Sequence, residues 1–433
     1  MKRITKRKLL GLLLACALLL QLAGCAGADA PAAPTHSAQP ANGTGVVDLM
    51  AGVKPAAAEK TGISPESAAA VTDFSLRILR AGSKPGENSL LSPVSVLCAL
   101  AMTANGAKGE TLAQMERTLG LPLDRLNEFF ESWRAVLEGD TALQTANSVW
   151  FTDRESFTVN PDFLQVNADR YGAELYQAPF TDETLKQINA WVKEKTNGMI
   201  PEILDQINPD AVMYLVNALA FEGKWEQPYP SYAVDKNGSF TCADGSKRSV
   251  EMMGSTEYQY LENELLTGFV KPYQGGKYAF TALLPKEGVS VEELLQKLDG
   301  AALQKLLQNR TEEIVFTALP KFETRYEAEL SEVLTAMGME LPFDAGSADL
   351  SGIGSSAAGK LYISRVLHKT FLAVDEEGTR AGAATAVEAV SGAAMVDYKT
   401  VNLDRPFVYL LMDCESCLPL FLGTMMDPAA SAG

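Results

Sequence analysis

Histidine is almost missing. The 433 residues hold two, His36 and His368. His36 lies in a stretch rich in Ala, Pro, Gly and Thr, so His368 is the only histidine left to a folded domain. A histidine-based metal site therefore lacks its ligands, and the HExxH pair of metalloproteases does not occur. GxSxG is absent too, which removes the commonest hydrolase elbow. A triad using His368 with distant partners stays open. Beside it stands the plainer reading of His368, inside "VLHKTFLAV", as a hydrogen-bonded interior residue. No metal and no cofactor is expected.

Cysteine is sparse as well. Of six, Cys16 and Cys25 fall in the first 25 residues, leaving Cys98, Cys242, Cys414 and Cys417. Four in so long a chain make no disulfide scaffold. The "CESC" at 414–417 lacks the strand–helix context of a redox motif, and a zinc site would want a second pair. "FVYLLMD" and "LPLFLGTMM" flank it as two strands with Glu415 and Ser416 as the turn. The two thiols either pair across that hairpin or stay reduced.

Long apolar runs are missing apart from one near the start. Leu9 to Leu20 is 12 residues, too short to span a bilayer as a helix. It follows Lys2, Arg3, Lys6, Arg7 and Lys8 and precedes "LAGC", Leu22 to Cys25. The basic start and apolar run are an export signal. "LAGC" resembles the lipobox of bacterial lipoproteins, in which the Cys after the cut is acylated. An ordinary secretory signal is the alternative. The resemblance implies a signal peptide over 1–24, a lipid on Cys25, and a domain anchored on the outer face of a bacterial cell.

Positive charge is in deficit. Lys and Arg number 37 against 54 Asp and Glu, a formal charge of −17. Loss of the signal peptide removes five of the cations and no acid, so the exported chain is more acidic still. Such a surface repels nucleic acid and anionic lipid, and neither is expected as a partner. Membrane contact is expected only through the lipid on Cys25.

What is present is globular. Hydrophobic residues make up 47% and charged ones 21%, with ample length for a large core. Length alone would allow two or three domains, but 63–430 contains no internal repeat and no linker. Residues 25–62, rich in Ala, Pro, Gly and Thr, read as a flexible tether, and 63–433 as the domain. Helical spacing dominates from about Ser64. "SPESAAAVTDFSLRILRAG" starts on a Ser cap followed by Pro and stops at Gly82. "LSPVSVLCALAMTANGAKG" and "LDRLNEFFESWRAVLEG" read as further helices. "TDETLKQINAWVKEKTNG" is another, with a Thr-Asp cap and an Asn-Gly stop. "ANSVWFTD", "AVMYLVNALAFEGKW", "YAFTALLP", "EIVFTALPKF" and "RPFVYLLMD" are strand-like. Helices cluster early and strands later, which predicts one large α+β domain. "GSSAAGKL" at 354–361 fits GxxxxGK. Leu361 stands where a phosphate loop needs Ser or Thr, no apolar strand precedes it, and the expected outcome is a surface loop.

One stretch fits none of this. "DEEGTRAGAATAVEAVSGAAM", Asp375 to Met395, is a run of small side chains after three acids. It buries too little area for a core segment and carries too few polar residues for a linker. Read as a strand from Thr379, it splits by face. Thr379, Ala381, Ala383, Thr385, Val387 and Ala389 form one set, all small and uncharged. Arg380, Gly382, Ala384, Ala386, Glu388 and Val390 form the other, which holds both charges. A strand with one buried face requires that partition, since an unpaired buried charge costs several kcal/mol, roughly. The run suits exposure first and burial later. An Ala-rich helix or a tolerant loop is the plainer alternative, but it leaves the partition unexplained.

Nine segments together resemble the serpin family. They are "NSLLSPVSVLCALAM" (88–102), "NGAKGETLAQM" (105–115), "QINAWVKEKTNGMI" (187–200), "VNALAFEGKWEQPY" (216–229), "LPKFETRYEAELSEVLTAMGM" (319–339), "DLSGI" (349–353), "HKTFLAVDEEGTRAGAAT" (368–385), "RPFVYLLMD" (405–413) and "PLFLGTMMDP" (419–428). They stand in the family's order over about 70–428. The resemblance implies an α+β serpin fold with three β-sheets, about nine helices and an exposed reactive centre loop. It implies no enzyme activity and no catalytic residue, but a monomeric inhibitor whose partner is a serine protease. The protease cuts the loop and forms an acyl-enzyme. The freed strand then enters the central sheet, a known case of strand addition and strain release. About 14 inserted residues would carry the bond roughly 45 Å.

The resemblance also implies site residues. Glu376, Gly378, Thr379, Ala381 and Ala383 match the hinge. Trp225 matches the residue over the top of the sheet, and Ser92, Ser95, Asn217 and His368 match a polar cluster beneath it. Structural support is the alternative role for every one of these positions, hinge included, and the preferred one for Trp225 and the cluster. Arg380 and Gly382 depart mildly from the family's choices and should at most slow insertion. Counting from the hinge sets the cleaved bond at Gly392–Ala393, and counting back from "RPF" sets it at Met395–Val396. The surrounding small residues suit the shallow pocket of an elastase-like protease. Subtilisin-like and papain-like proteases come next. A non-inhibitory binding serpin and a lipid-anchored hydrolase are the competing functions.

Overall fold

The structure is a computed structural model that describes residues 45–58, 62–154, 157–356, 360–379 and 398–430. Cys25 and the signal segment, Ala381, Ala383, Gly392, Ala393, Met395 and Val396 lie outside the described residues. The described residues belong to one unit, 38–433. They contain nine α-helices: α1 (Pro65–Gly82), α2 (Pro93–Ala104), α3 (Gly109–Leu119), α4 (Leu123–Leu137), α5 (Pro161–Tyr171), α6 (Asp182–Lys195), α7 (Val291–Lys297), α8 (Gly300–Gln308) and α9 (Ser331–Ala336).

Local chemistry explains the helix ends. Ser64 Oγ accepts from the Ser67 amide and Pro65 opens α1, as a helix start favours. α2 also opens on Pro93, and all twelve of its residues are buried. An all-round apolar helix belongs inside a large domain. Thr181 takes the cap position of α6, but its side chain makes no capping bond. Asn197 and Gly198 end that turn at positive φ, 49° and 76°.

Three sheets carry the rest. Sheet A runs in the order β1 (Val47–Asp48), β5 (Glu174–Ala178), β3 (Leu143–Thr152), β6 (Met213–Phe221), β15 (Arg365–Val374), β16 (Gly378–Thr379) and β7 (Gly223–Lys224), with β13 (Phe322–Glu329) also on β15. Sheet B runs β17 (Tyr398–Asn402), β12 (Thr311–Pro320), β9 (Lys247–Glu262), β10 (Leu266–Pro272), β11 (Tyr278–Pro285), β18 (Phe407–Asp413), β19 (Pro419–Met425) and β2 (Ser89–Leu91), with β8 (Val234–Thr241) on β9. Sheet C is the pair β14 (Gly354–Ser355) and β4 (Thr158–Val159). The "GSSAAGKL" stretch thus begins as a strand, and β15 follows it.

Sheet A is covered on both faces. One face packs Trp150, Tyr214, Val216 and Leu367 against Ile188 and Val192 of α6. The other packs Leu215, Leu219 and Val366 into the main core with α1 and α2. All nine residues of β6 are buried, which is why its sequence is apolar on both faces, without alternation, apart from Asn217.

One sequence expectation changes. The tether does not extend to residue 62. Val47 and Asp48 pair with Gln177 and Tyr176, and Leu49 N–H donates to Leu175 O at 2.9 Å. Ala56 N–H donates to Asp169 Oδ1 at 2.7 Å, and Arg134 Nη2 to Ala56 O at 2.9 Å. The segment covers β5, which would otherwise be a bare sheet edge. Of the two alternatives left open for the thiols, the structure shows the reduced one: Cys414 and Cys417 lie in the turn between β18 and β19, and both are free.

Candidate functional site

The site is the top of sheet A, and it begins with a turn. Asp375 Oδ1 accepts from the amides of Glu377 and Gly378 at 2.9 and 3.0 Å. Asp375 N–H donates to Gly378 O at 3.0 Å. The chain rises along β15, reverses here, and descends as β16. Val374 faces Thr379 across this reversal. On the other side Gly378 and Thr379 pair with Lys224 and Gly223 of β7. Two hinge residues therefore already stand inside the sheet, between β15 and the continuation of β6.

Each hinge residue has a physical reason for its type. A Cβ on Gly378 would lie 2.2 Å from Gly223 O, so a side chain would push β16 off β7. Thr379 is 1% exposed, and its hydroxyl bonds Tyr273 Oη at 2.6 Å. Glu376 accepts from Lys321 Nζ at 2.8 Å. Partial burial raises its pKa, but the Lys321 hydrogen bond and charge outweigh this and leave the carboxyl below its usual range. Trp225 is fully buried and stacks on Tyr273 with ring centres 4.4 Å apart. Its indole N–H donates to Asp375 O at 2.9 Å, and its amide to Glu377 O at 2.9 Å. The Tyr229 amide donates to Glu376 O at 2.8 Å. Residues 225–229 thus clasp three successive hinge carbonyls.

Below the hinge the sheet is closed. β15 and β6 pair directly over six rungs, from Arg365 with Tyr214 to Thr370 with Leu219. His368 lies opposite Asn217 in the middle. The structure brings Ser92, Asn217 and His368 together in the interior and buries Ser95 in the first turn of α2, though not by the groups their types suggest. His368 Nε2 accepts from the backbone N–H of Ser92 at 3.0 Å. Asn217 Nδ2 donates to Asn147 Oδ1 on β3, a partner the sequence did not single out. Among the described residues, Ser92 Oγ, Ser95 Oγ, Asn217 Oδ1 and His368 Nδ1 are buried without a hydrogen-bond partner. Orphaned polar atoms cost about 1–3 kcal/mol each, so this cluster is under-satisfied. Burial drives the His368 pKa down to about 3. A neutral imidazole, 1% exposed, with Nε2 engaged by an amide is no general base, and the triad reading fails on that geometry.

Sequence reasoning missed Tyr273, Tyr229, Lys321 and Asn147. Lys321 had a visible signal, since it lies within the matched segment 319–339. Tyr229 had the same signal, as the last residue of the matched segment 216–229. Tyr273 and Asn147 lie outside the matched segments and had none, because they meet the site only through long-range packing.

Comparison with known proteins agrees with this architecture. The family model "Serpin (serine protease inhibitor)" matches residues 69–428. The chain is 32% identical over 371 residues to an uncharacterised serpin-like protein of Thermococcus kodakarensis, covering 83% of this chain and 85% of that one. It is 31% identical to the leukocyte elastase inhibitor of Equus caballus, over 82% and 98% of the two chains. Among solved structures, the thermophilic serpin tengpin in its native state superposes with a TM-score of 0.84 at 42% identity, over 88% of this chain and 99% of that one. With the fold and these matches in agreement, the chain belongs to the serpin family.

Proposed function

We propose that this chain inhibits serine endopeptidases by trapping them as acyl-enzymes. The observation that carries the reading is β16, a two-residue wedge between β15 and β7 above six directly paired rungs. A strand continuing down from Thr379 would run antiparallel to both neighbours. The two registers agree: Thr379 faces Val374 and Gly223, and the same offset relates His368 to Asn217. Continued in register, Thr385 falls between His368 and Asn217, where its hydroxyl would meet the orphaned Nδ1 and Oδ1. Glu388 falls beside Arg365. The inward set of small residues starts from Thr379, which is already buried.

The chemistry follows. The protease serine attacks the Gly392 carbonyl, the Ala393 amine leaves, and Gly392 becomes an ester on the enzyme. The freed strand parts β6 from β15 and inserts, gaining ladder hydrogen bonds worth about 1 kcal/mol each. The protease is carried to the far end of the sheet and deformed before water cleaves the ester. Small residues around the bond favour elastase-like targets, and curated relatives include leukocyte elastase inhibitors. The test mixes the exported chain with an elastase at equal concentration. A complex of summed mass that survives boiling in detergent is expected. Cleavage of the chain with undiminished protease activity, across serine and cysteine proteases alike, would leave the non-inhibitory reading standing.

Residues 1–25 support a lipid-anchored protein on the outer face of a bacterial cell. Cys25→Ala should move the protein from the membrane fraction to the medium. Retention of the variant in membranes would defeat the anchor.

A further inference from the structure

Beside the clasp lies a buried ion pair that the trapping chemistry leaves unused. Lys271 on β10 is 1% exposed and Glu257 on β9 is 5% exposed. Lys271 Nζ donates to Glu257 Oε1 at 2.7 Å and to Gln227 O at 3.0 Å. It also lies 4.2 Å from the Tyr229 ring centre and 5.4 Å from that of Trp225. Glu257 Oε1 accepts in turn from Ser255 Oγ at 2.6 Å. One ammonium group thus touches residues 225, 227 and 229. The backbone amides of Trp225 and Tyr229, and the Trp225 indole, are the donors that hold the carbonyls of Asp375, Glu376 and Glu377.

Stability does not account for such a pair. Desolvation of two buried charges offsets most of their attraction, and apolar replacements are often neutral or stabilising. Geometry does account for it. A cation that must satisfy a carboxylate, a carbonyl and two ring faces allows its neighbours one arrangement. We propose that Lys271, neutralised by Glu257, is a positioning residue for loop insertion, fixing 225–229 so that the hinge stays aligned as the first rung of the entering strand. This rests on the trapping reading given above. After cleavage, insertion races hydrolysis of the acyl-enzyme. A misaligned first rung delays insertion, and the chain then leaves as cleaved product.

The decisive variant is Lys271→Met with Glu257→Leu in the full exported chain, which leaves no charge buried alone. Hydrogen exchange of the Trp225 and Tyr229 amides reads the clasp, and should quicken about ten-fold or more. The ratio of cleaved chain to trapped complex with elastase should rise about five-fold. The association rate should stay the same, because the loop presented to the protease is unchanged. Lys271→Arg keeps the charge and should restore most of the trapping. Unchanged exchange at 225 and 229, or faster exchange with an unchanged ratio, would overturn the proposal. A merely structural role predicts a lower melting temperature without a shift in that ratio. Should the double variant fail to fold, Lys271→Gln with Glu257→Gln, which removes both charges and keeps polar side chains, takes its place, with the same two readouts deciding. Should the unsubstituted chain trap no protease, the trapping reading falls, and exchange at 225 and 229 still decides whether Lys271 sets the clasp.

Discussion

At the scale of single residues, His368 shows how far a sequence can be trusted. Its scarcity made it conspicuous, and its apolar surroundings predicted an interior residue. Its partner, a backbone amide of Ser92, was invisible because backbone donors carry no residue label. The same holds for Gly378, whose type is forced by the Gly223 carbonyl it approaches. His368 has a consequence for acid stability. Burial holds its pKa near 3 in the folded chain, against about 6.5 unfolded. Between those values the unfolded chain binds a proton that the folded chain refuses. The resulting stability is complete above about pH 6.5 and is lost as pH falls toward 3. At pH 5 the loss from this group is on the order of 2 kcal/mol. Thermal melts at pH 7 and pH 5 check it: His368→Gln should lose less on acidification than the parent chain. Equal losses would show that another group dominates.

At the scale of elements, periodicity did its work where elements are long. α1, α4 and α6 were legible from spacing and caps, and β6 and β11 from apolar runs. Elements whose existence depends on a distant partner were not. β1 is two residues in an Ala- and Gly-rich stretch, and only the open edge of β5 gives it a reason to form. β9 is 16 residues of mixed polarity, held by strands on both sides. The hinge strand is the informative middle case. Its alternation is an expectation that falls on 380–390, outside the described residues, and the register of β15, β16 and β7 adds what alternation lacks, namely the partners such a strand would meet. That register yields a prediction about Arg365 and Glu388, which would become cross-strand neighbours only after insertion. Opposite charges so paired contribute about 0.2–1 kcal/mol, and like charges cost as much. Arg365→Glu should therefore lower the melting temperature of the loop-cleaved chain more than that of the uncut chain. Adding Glu388→Arg should recover the difference. Equal losses in both forms, or no recovery, would mean that the strand enters in another register.

At the scale of the whole molecule, the proposed trapping depends on length. On that reading the inserted strand must reach far enough that the attached protease lies beyond the end of the sheet. In the register set by Thr379, residue 389 faces Met213, the first residue of β6. Gly392 then lies three residues past the strand, roughly 10 Å at strand rise, clear of the ladder yet tight against the base of the domain. Met395, the alternative from the C-terminal count, would hang about 20 Å past it. A slack tether of that kind would press the protease less firmly and deform it less. The C-terminal leg ends at Tyr398 on β17, and extra residues in such a connection would cost little entropy. Cleavage between Gly392 and Ala393 is the expected outcome. Mass measurement of the C-terminal fragment released by elastase checks it. A fragment starting at Ala393, or one residue to either side, fits the register. A fragment starting at Val396 would move the bond to the other anchor. Rapid inhibition of trypsin with none of elastase would overturn the target class, since no Arg or Lys lies between Val390 and Val396 to fill a pocket with an acidic floor.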